Sequence, residues 1–499
     1  MTDSHIWQRT SVFAALFFLV RQIKGLSKNA LQASAPLAAL LFAYQGALMS
    51  KLVIAAIALP VILALIALLQ FWFFRFRITD DAILIRQGVL QKKQLDIKFG
   101  RIQGIRSEQN ILYRPFGLVN VSFDTAGSAG QEGALPAVSI ALSEQLQSKI
   151  AATEKDTAVE AGGAPQVQSE CVVRLGWRDM LRIGLSDRRA LVALALAGPL
   201  YEQLGSQGRR MVENYARGAL SALGDLGVTA GVAVALTVVL SVAVMLAVVS
   251  IAAAFLRYHQ FALTHANARL QTVGGLLTRH TSSMDTAKIQ RLQFDQSTLL
   301  RLFGRWRVVF RQATSAGEHQ SKSMTVPIAL PDQLPQLAQL AVAPELTDID
   351  LNPMSPRFAS ISPNYMRPRI LVVGVLPAIA VTILTWPDYG LNSLWALAWL
   401  PFVSAYFFGL WRRYGVQILE DGLVLRSGLI GYRLDAFVLR KVQRVTVHQS
   451  WWQRRSGLGG MTIYLASGNL RLRYIDYTLA CRLRDRILHS VESSQRSWF

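Results

Sequence analysis

One stretch of this chain is written three times. Arg101-Ile-Gln-Gly-Ile-Arg-Ser-Glu-Gln109 returns as Lys288-Ile-Gln-Arg-Leu-Gln-Phe-Asp-Gln296 and again as Lys441-Val-Gln-Arg-Val-Thr-Val-His-Gln449. In each copy a glycine (Gly88, Gly275, Gly428) stands 15 residues before the first glutamine (Gln103, Gln290, Gln443), and a second glycine (Gly117, Gly304, Gly457) stands 14 residues after it. Two spacings kept three times define a triplicated unit, so the fold must be one that a single segment adopts three times over.

Hydropathy sets the first half of each unit. Ala30 to Ser50 is uncharged over 21 residues and Leu52 to Phe74 over 23, each enough to cross a hydrocarbon core of about 30 Å at about 1.5 Å per residue. They read as a helical hairpin with Lys51 at its turn and Pro60 as a kink. Phe71-Trp-Phe-Phe74 with Arg75 and Arg77 marks the exit from the membrane. In the second unit Ala190 to Tyr201 offers 12 uncharged residues before Glu202, and Leu226 to Leu256 offers 31. Ile370 to Trp386 and Leu391 to Trp411, joined by Pro387-Asp-Tyr-Gly390, form the clearest hairpin. Ser11 to Val20 reads as an interfacial helix, and Met-Thr-Asp-Ser-His lacks the basic flank of a signal peptide.

After each hairpin the periodicity changes from helical to alternating. Phe76-Arg-Ile-Thr, a turn at Asp80-Asp81 and Ala82 to Gly88 predict a β-hairpin, with further strands at Val89 to Lys98, Ile102 to Ser107, Leu118 to Asp124 and Val138 to Leu142. Ser143 is expected to cap a closing helix, and Thr153 to Gln168 reads as a linker. Arg174 to Arg182 reads as a basic amphipathic approach to the second hairpin. Gln260 to Gly275 and Gly415 to Gly428 repeat the first strands, with helices over Asp332 to Leu340 and Tyr477 to Val491.

With 52% hydrophobic and 17% charged residues, the chain is too apolar for an ordinary soluble enzyme. Its net charge of +21 calls for anionic partners, and for a bilayer-anchored chain these are lipid headgroups rather than nucleic acid. Cys171 and Cys481 stand in different units and read as buried small hydrophobes, with neither a disulfide framework nor metal-ligand spacing. The seven histidines never take a metal-ligand spacing, and no phosphate loop or nucleophile elbow appears. The expectation is therefore a non-catalytic protein without cofactor or metal. Basic residues are missing from the loop at 387–393 and number one, Lys51, in the first turn. The positive-inside rule then puts both termini and all three polar units in the cytoplasm, with six crossings, although Arg209, Arg210 and Arg217 dissent.

Ile78-Thr-Asp-Asp-Ala-Ile-Leu-Ile-Arg-Gln-Gly88 with Lys98-Phe-Gly-Arg-Ile-Gln103, and Leu419-Glu-Asp-Gly-Leu-Val-Leu-Arg-Ser-Gly428 with Leu439-Arg-Lys-Val-Gln443, resemble the bacterial pleckstrin-homology-like, membrane-flanked domain family, in particular its long, triplicated YdbT-like members. The resemblance covers nearly the whole chain and implies an α+β membrane protein: three transmembrane hairpins, each followed by a PH-like, partly open β-barrel plugged by a C-terminal helix. The expected divisions are 1–74, 75–155, 172–257, 258–342, 365–411 and 412–492. The resemblance also implies action beside a shorter, single-domain membrane relative. His265-Ala-Asn267 replaces the acidic turn in the second unit.

The central repeat offers Arg101, Arg106 and Arg114, then Lys288, Arg291 and Arg301, then Lys441, Arg444, Arg454 and Arg455 as contacts for anionic lipid, each contributing on the order of 1 kcal/mol. These are equally the solvated positions of half-buried strands whose apolar residues point inward. Gln103, Gln290 and Gln443, like Gln109, Gln296 and Gln449, either bind a ligand or satisfy backbone at a barrel corner. Gly88, Gly275 and Gly428 mark turns or bulges. Trp451 and Trp452 read either as a membrane-inserting pair or as a barrel cap. From Arg412 onward the chain holds 15 Lys and Arg against 6 Asp and Glu. The function expected is an inner-membrane scaffold that binds lipid headgroups or a partner and protects the envelope. A lipid-handling or export component is the alternative, and it would require polar residues along the spans.

Overall fold

The computed structural model describes residues 7–19, 22, 61, 63–88, 92–125, 133–156, 170–186, 210, 214, 227–266, 268–312, 323–342, 346 and 349–494. The spans Ala30 to Ser50 and Ala190 to Tyr201, the first part of Leu52 to Phe74 and nearly all of the 153–168 linker lie outside them, as do Lys51, Pro60, Glu202, Arg209 and Arg217.

Alternation of apolar and polar residues produces two three-stranded antiparallel sheets per unit. Unit one has β1 (Arg75–Ile78), β2 (Ala82–Gln87) and β3 (Lys93–Lys98), then β4 (Ile102–Asn110), β5 (Leu118–Thr125) and β6 (Gly133–Ser139). Unit two adds β7 (Glu170–Arg174) before β8 (Ala262–Ala266), β9 (Arg269–Gly274), β10 (Thr278–Asp285), β11 (Ile289–Gln296), β12 (Trp306–Gln312) and β13 (Ser323–Ala329). Unit three adds β14 (Ala359–Ser360) before β15 (Gly415–Ile418), β16 (Gly422–Ser427), β17 (Tyr432–Val438), β18 (Val442–His448), β19 (Leu458–Leu465) and β20 (Gly468–Asp476). The added strands pair with β8 and β15, and in unit one Gln8 bridges Phe76 in the same place. Part of the expected approach at Arg174 to Arg182 is thus strand, and the helix begins only at Trp177 (Trp177–Ser186).

The three copies share one backbone. Gly88, Gly275 and Gly428 have φ of 109°, 115° and 131°, and Gly117, Gly304 and Gly457 have φ of 60°, 60° and 64°, values that an L side chain resists. The ladders slip between Ile102 and Gly104, Ile289 and Arg291, and Val442 and Arg444, which places Gln103, Gln290 and Gln443 each in a β-bulge. The acidic turn works through its backbone: Asp81 O accepts from Phe99 N (2.8 Å) and Asp421 O from Leu439 N (2.9 Å). Ala268 O accepts from Thr286 N (2.9 Å) in the same way, so this backbone bond does not require an acidic residue.

Closing helices Ile140–Asp156, Leu334–Val342 and Tyr477–Ser493 plug the units. Leu146 and Ile150 pack with Phe76, Phe99 and Phe123, and Leu483 and Ile487 with Phe437, Met461 and Leu472. The first of these helices starts at Ile140, so Ser143 is not its cap; Ser143 Oγ instead lies 3.0 Å from Ser107 Oγ in the core. Neither cysteine is buried as expected, because Cys171 is exposed and Cys481 is intermediate.

The barrels are not separate bodies hanging from separate hairpins. Strand order runs β6-β5-β4-β10-β9-β8-β7 in one seven-stranded sheet and β13-β12-β11-β17-β16-β15-β14 in the next. The second sheet of each unit thus continues into the first sheet of the following unit. Tyr432, Leu434, Ala436 and Val438 of unit three join the core of unit two beside Leu292 and Phe294.

Of the segments expected to span a membrane, helix Gly227–Tyr258 has 32 residues, about 48 Å long. Helix Trp177–Ser186 packs on it, with Ser250 Oγ donating to Gly184 O (2.7 Å). Among the described residues one helical stretch, Pro363–Arg413, is long and apolar enough to cross a membrane by length and composition. It doubles back at Gly390 (φ 50°): Trp399 Nε1 donates to Val373 O (3.1 Å), and Gly374 faces Val403. Ile383, Leu384 and Phe402 point outward at 67%, 76% and 70% exposure, which suits lipid as solvent. The helix at residues 14–19 is more than interfacial, since Ala14 and Phe18 are buried in the core of unit one against Phe74.

Candidate functional site

Two places gather the basic residues of the repeat. The first is the pair of sheet joints. At the first joint Ile105 lies opposite Ser283, and at the second Leu292 lies opposite Ala436. These are equivalent pairs, because the repeat offset is 187 residues from unit one to unit two and 153 from unit two to unit three. The two joints therefore share one register.

Lysines lock both joints. Lys288 Nζ donates to Ile102 O (3.0 Å), and Lys441 Nζ donates to Ile289 O (2.6 Å) and Ala287 O (2.7 Å). Ile102 and Ile289 are themselves repeat equivalents, so one lysine position reaches one carbonyl of the preceding unit at each joint. Lys441 is 5% exposed, and an ammonium that deep is tolerated because it is hydrogen-bonded. Arg114 and Arg301, again equivalent, reach the other way. Arg114 Nη2 donates to Leu276 O, and the Arg301 guanidinium sits 5.2 Å over the Tyr432 ring.

Arg291 is buried at 9%, its Nε 3.6 Å from Asp435 Oδ1. Burial pushes Arg291 down from the usual guanidinium value, opposed by the Asp435 carboxylate; burial likewise raises Asp435, opposed by Arg291 and Arg433. Burial lowers Arg433 too, but Asp295 outweighs it at 2.7 Å, so the net direction is upward. At the first joint Glu108 and His280 occupy the Asp295 and Arg433 positions, 3.5 Å apart. Arg106 lies opposite Ser282 and lines a cleft with Glu108, Arg257, Tyr258 and His280. The sequence expectation that all these cations face lipid is thus not the arrangement seen: Lys288, Arg291, Arg301, Lys441 and Arg114 contact neighbouring units. Alignment of the repeats finds the acidic position shared by Glu108 and Asp295, but nothing in the sequence reveals which strand lies opposite.

The second place is the row of tips between the first two strands of each second sheet. Gln109 Nε2 donates to Leu118 O (3.3 Å), Gln296 Nε2 to Arg305 O (3.3 Å) and Gln449 Nε2 to Leu458 O (2.8 Å). These glutamines close the tip turns and are backbone-satisfying, the plainer of their two readings. The tips carry Ile111, Leu112 and Phe116, then Leu299 and Leu302, then Trp451 and Trp452, all exposed. The first two lie beside segments expected at the bilayer from their sequence. Phe116 stacks on Phe13 (4.1 Å), just before the buried helix at 14–19. Short helix Thr298–Leu302 packs on Trp177–Ser186, and Leu276, which accepts from Arg114, donates its N–H to Leu256 O of helix Gly227–Tyr258. Trp451 and Trp452 meet edge to face (5.0 Å) at 58% and 61% exposure, with the Arg455 guanidinium 4.0 Å over Trp451. The barrel-cap alternative is ruled out by that exposure. Arg454 and Arg101 are exposed, and Arg444 is exposed over Tyr464 (5.3 Å). Among the described residues no group of His, Cys, Asp and Glu could hold a metal ion.

A family model described as bacterial PH domain matches three segments, residues 19–154, 221–340 and 368–491. A relative, the UPF0699 transmembrane protein YdbT of Bacillus subtilis (strain 168), is 22% identical over 403 residues, covering 77% of this chain and 78% of that protein.

Proposed function

The chain belongs to the bacterial PH domain family, as a triplicated, YdbT-like member, and on that premise we propose that it is a non-catalytic integral membrane protein whose fused PH-like units seat against the anionic inner leaflet. In this reading the units and both termini are cytoplasmic and six helices span the bacterial inner membrane. The joined units scaffold a complex that includes a shorter, single-domain membrane-flanked relative and protects the envelope. The observation that carries it is the row of exposed tips, where Trp451 and Trp452 stand beside Arg454 and Arg455. Amphipathic aromatics beside guanidinium groups suit the headgroup layer, where each cation contributes on the order of 1 kcal/mol. The homologue's description as a transmembrane protein supports the membrane placement.

The alternative, a lipid-handling component, wants ionisable groups within the spans. Between Ile370 and Trp411 the only charge is Asp388, beside the turn, which favours the scaffold. The test is a bimane label at Trp452→Cys in the full chain carrying Cys171→Ser and Cys481→Ser, so that position 452 holds the one thiol, reconstituted in nanodiscs of phosphatidylcholine or phosphatidylglycerol containing brominated acyl chains. Quenching is expected, stronger with the anionic lipid and reduced by Arg454→Glu/Arg455→Glu. Absence of quenching in either disc sinks the seating.

A further inference from the structure

The joints make each second sheet four-stranded, the fourth strand always coming from the next unit: β10 beside β4 and β17 beside β11. In unit three, among the described residues, no strand pairs with the outer side of β18, which is the edge of a three-stranded sheet. Val445 and Val447 hold the positions of Leu292 and Phe294, which are fully buried, yet both remain half-buried at this edge. An open edge with apolar residues on one face is a template for another strand.

We infer that β18 is the docking edge for an extended segment of a second polypeptide. The segment would be apolar at alternate positions and carry a carboxylate on the other face, with a basic residue three positions beyond the strand. This goes beyond the lipid seating, because it concerns a different edge and a protein ligand. Each element is read from the two joints already built. Leu434 and Ala436 set the apolar alternation, Asp435 meets Arg291, whose equivalent is Arg444, and Lys288 and Lys441 stand three residues past β10 and β17. Val442 O is the equivalent of Ile102 O and Ile289 O, the carbonyls those lysines reach. Arg454 waits where Arg114 and Arg301 contact the next unit.

The occupant is not a second copy of this chain. The outermost strand at the other end, β3, has Lys92, Gln94, Asp96 and Lys98 where β17 has Tyr432, Leu434, Ala436 and Val438. In the shared register Asp96 would face Val445, Gln94 would face Val447, and Lys93 would face His448. A polar face discourages further pairing, as in the capping repeats of an array, so the β3 edge is closed to another strand while the β18 edge is open.

The probe is a fluorescein-labelled peptide of residues 431–441 carrying Arg433→Glu, which puts its new carboxylate opposite His448. It is titrated into the full chain in phosphatidylcholine nanodiscs, with hydrogen exchange read at residues 442–448. Expected are saturable binding, slowed exchange across β18, and a roughly tenfold loss with Arg444→Glu that is recovered when the peptide carries Asp435→Arg. Val447→Lys, on the opposite face, is the second variant and should abolish binding while exchange elsewhere is unchanged. Equal binding of a peptide of residues 91–101 would make a second copy the occupant and overturn the proposal. Slowed exchange at 442–448 in phosphatidylglycerol discs without peptide would assign the edge to lipid, and failure of both peptides to bind would also overturn it. Tip quenching in the bimane experiment is independent of all these outcomes.

Discussion

Lys441→Met separates a joint lysine from a lipid-facing one. Its ammonium donates at 2.7 and 2.6 Å to two carbonyls of the preceding unit and is 5% exposed. A hydrogen bond to a charged group contributes about 1.5–3 kcal/mol net. Methionine removes two of them, while sparing the cost of burying a charge. The balance is about 3 kcal/mol lost from the second joint, roughly a hundredfold in its opening constant. Lys288 is only half-buried where its ammonium donates to Ile102 O at 3.0 Å, so Lys288→Met should cost the first joint less, about 1.5 kcal/mol at the low end of the same scale. The assay is hydrogen exchange of the full chain in nanodiscs, comparing amides 432–438 with 278–285. Faster exchange at 432–438 in Lys441→Met, and a much smaller change at 278–285 in Lys288→Met, are expected. Unchanged exchange at 432–438 together with weakened anionic-lipid contact would refute the reasoning and return Lys441 to the lipid surface.

Asp435→Asn should destabilise the second joint by about 3–5 kcal/mol because it strands the buried Arg291, whereas Arg291→Met/Asp435→Leu should recover most of that loss; denaturant unfolding of the reconstituted chain checks both. Gly428→Ala should lower the thermal midpoint more than Gly457→Ala, because an added Cβ at Gly428 collides with Gly431 O while the space around Gly457 is open; Gly457→Ala itself should cost about 1 kcal/mol from its left-handed backbone. Asp476 caps the last helix, and hydrogen bonds from Thr478 and Leu479 hold its carboxyl below the usual range. A depressed carboxyl stabilises the fold above the unfolded-state value and loses that contribution as pH falls through the folded one. Melting of the wild type should therefore weaken more steeply with acid than melting of Asp476→Asn.

The unit is legible in the chain: its three copies, its strands and closing helix, and the glycines and glutamines that shape it. Those features are local, set by hydrophobic period and by φ values that few residues tolerate, so spacing alone carries them. Even there Ser143 misleads, because a serine three residues inside a helix looks like a cap until its partner Ser107, 36 positions away, is seen. What the basic residues do emerges only where the sheets of neighbouring units meet. Arg291, Lys288 and Lys441 look like solvated strand positions, and nothing near them in sequence shows that a strand more than a hundred residues away lies alongside. Pairing between units is a long-range choice, made by the burial of Leu434 and Ala436 against Leu292 and Phe294. The same physics explains the ends of the array. Whether an alternating strand is a joint or an edge depends on what lies beside it, and the composition of β3 and β18 acquires meaning only once the two joints between them have been seen.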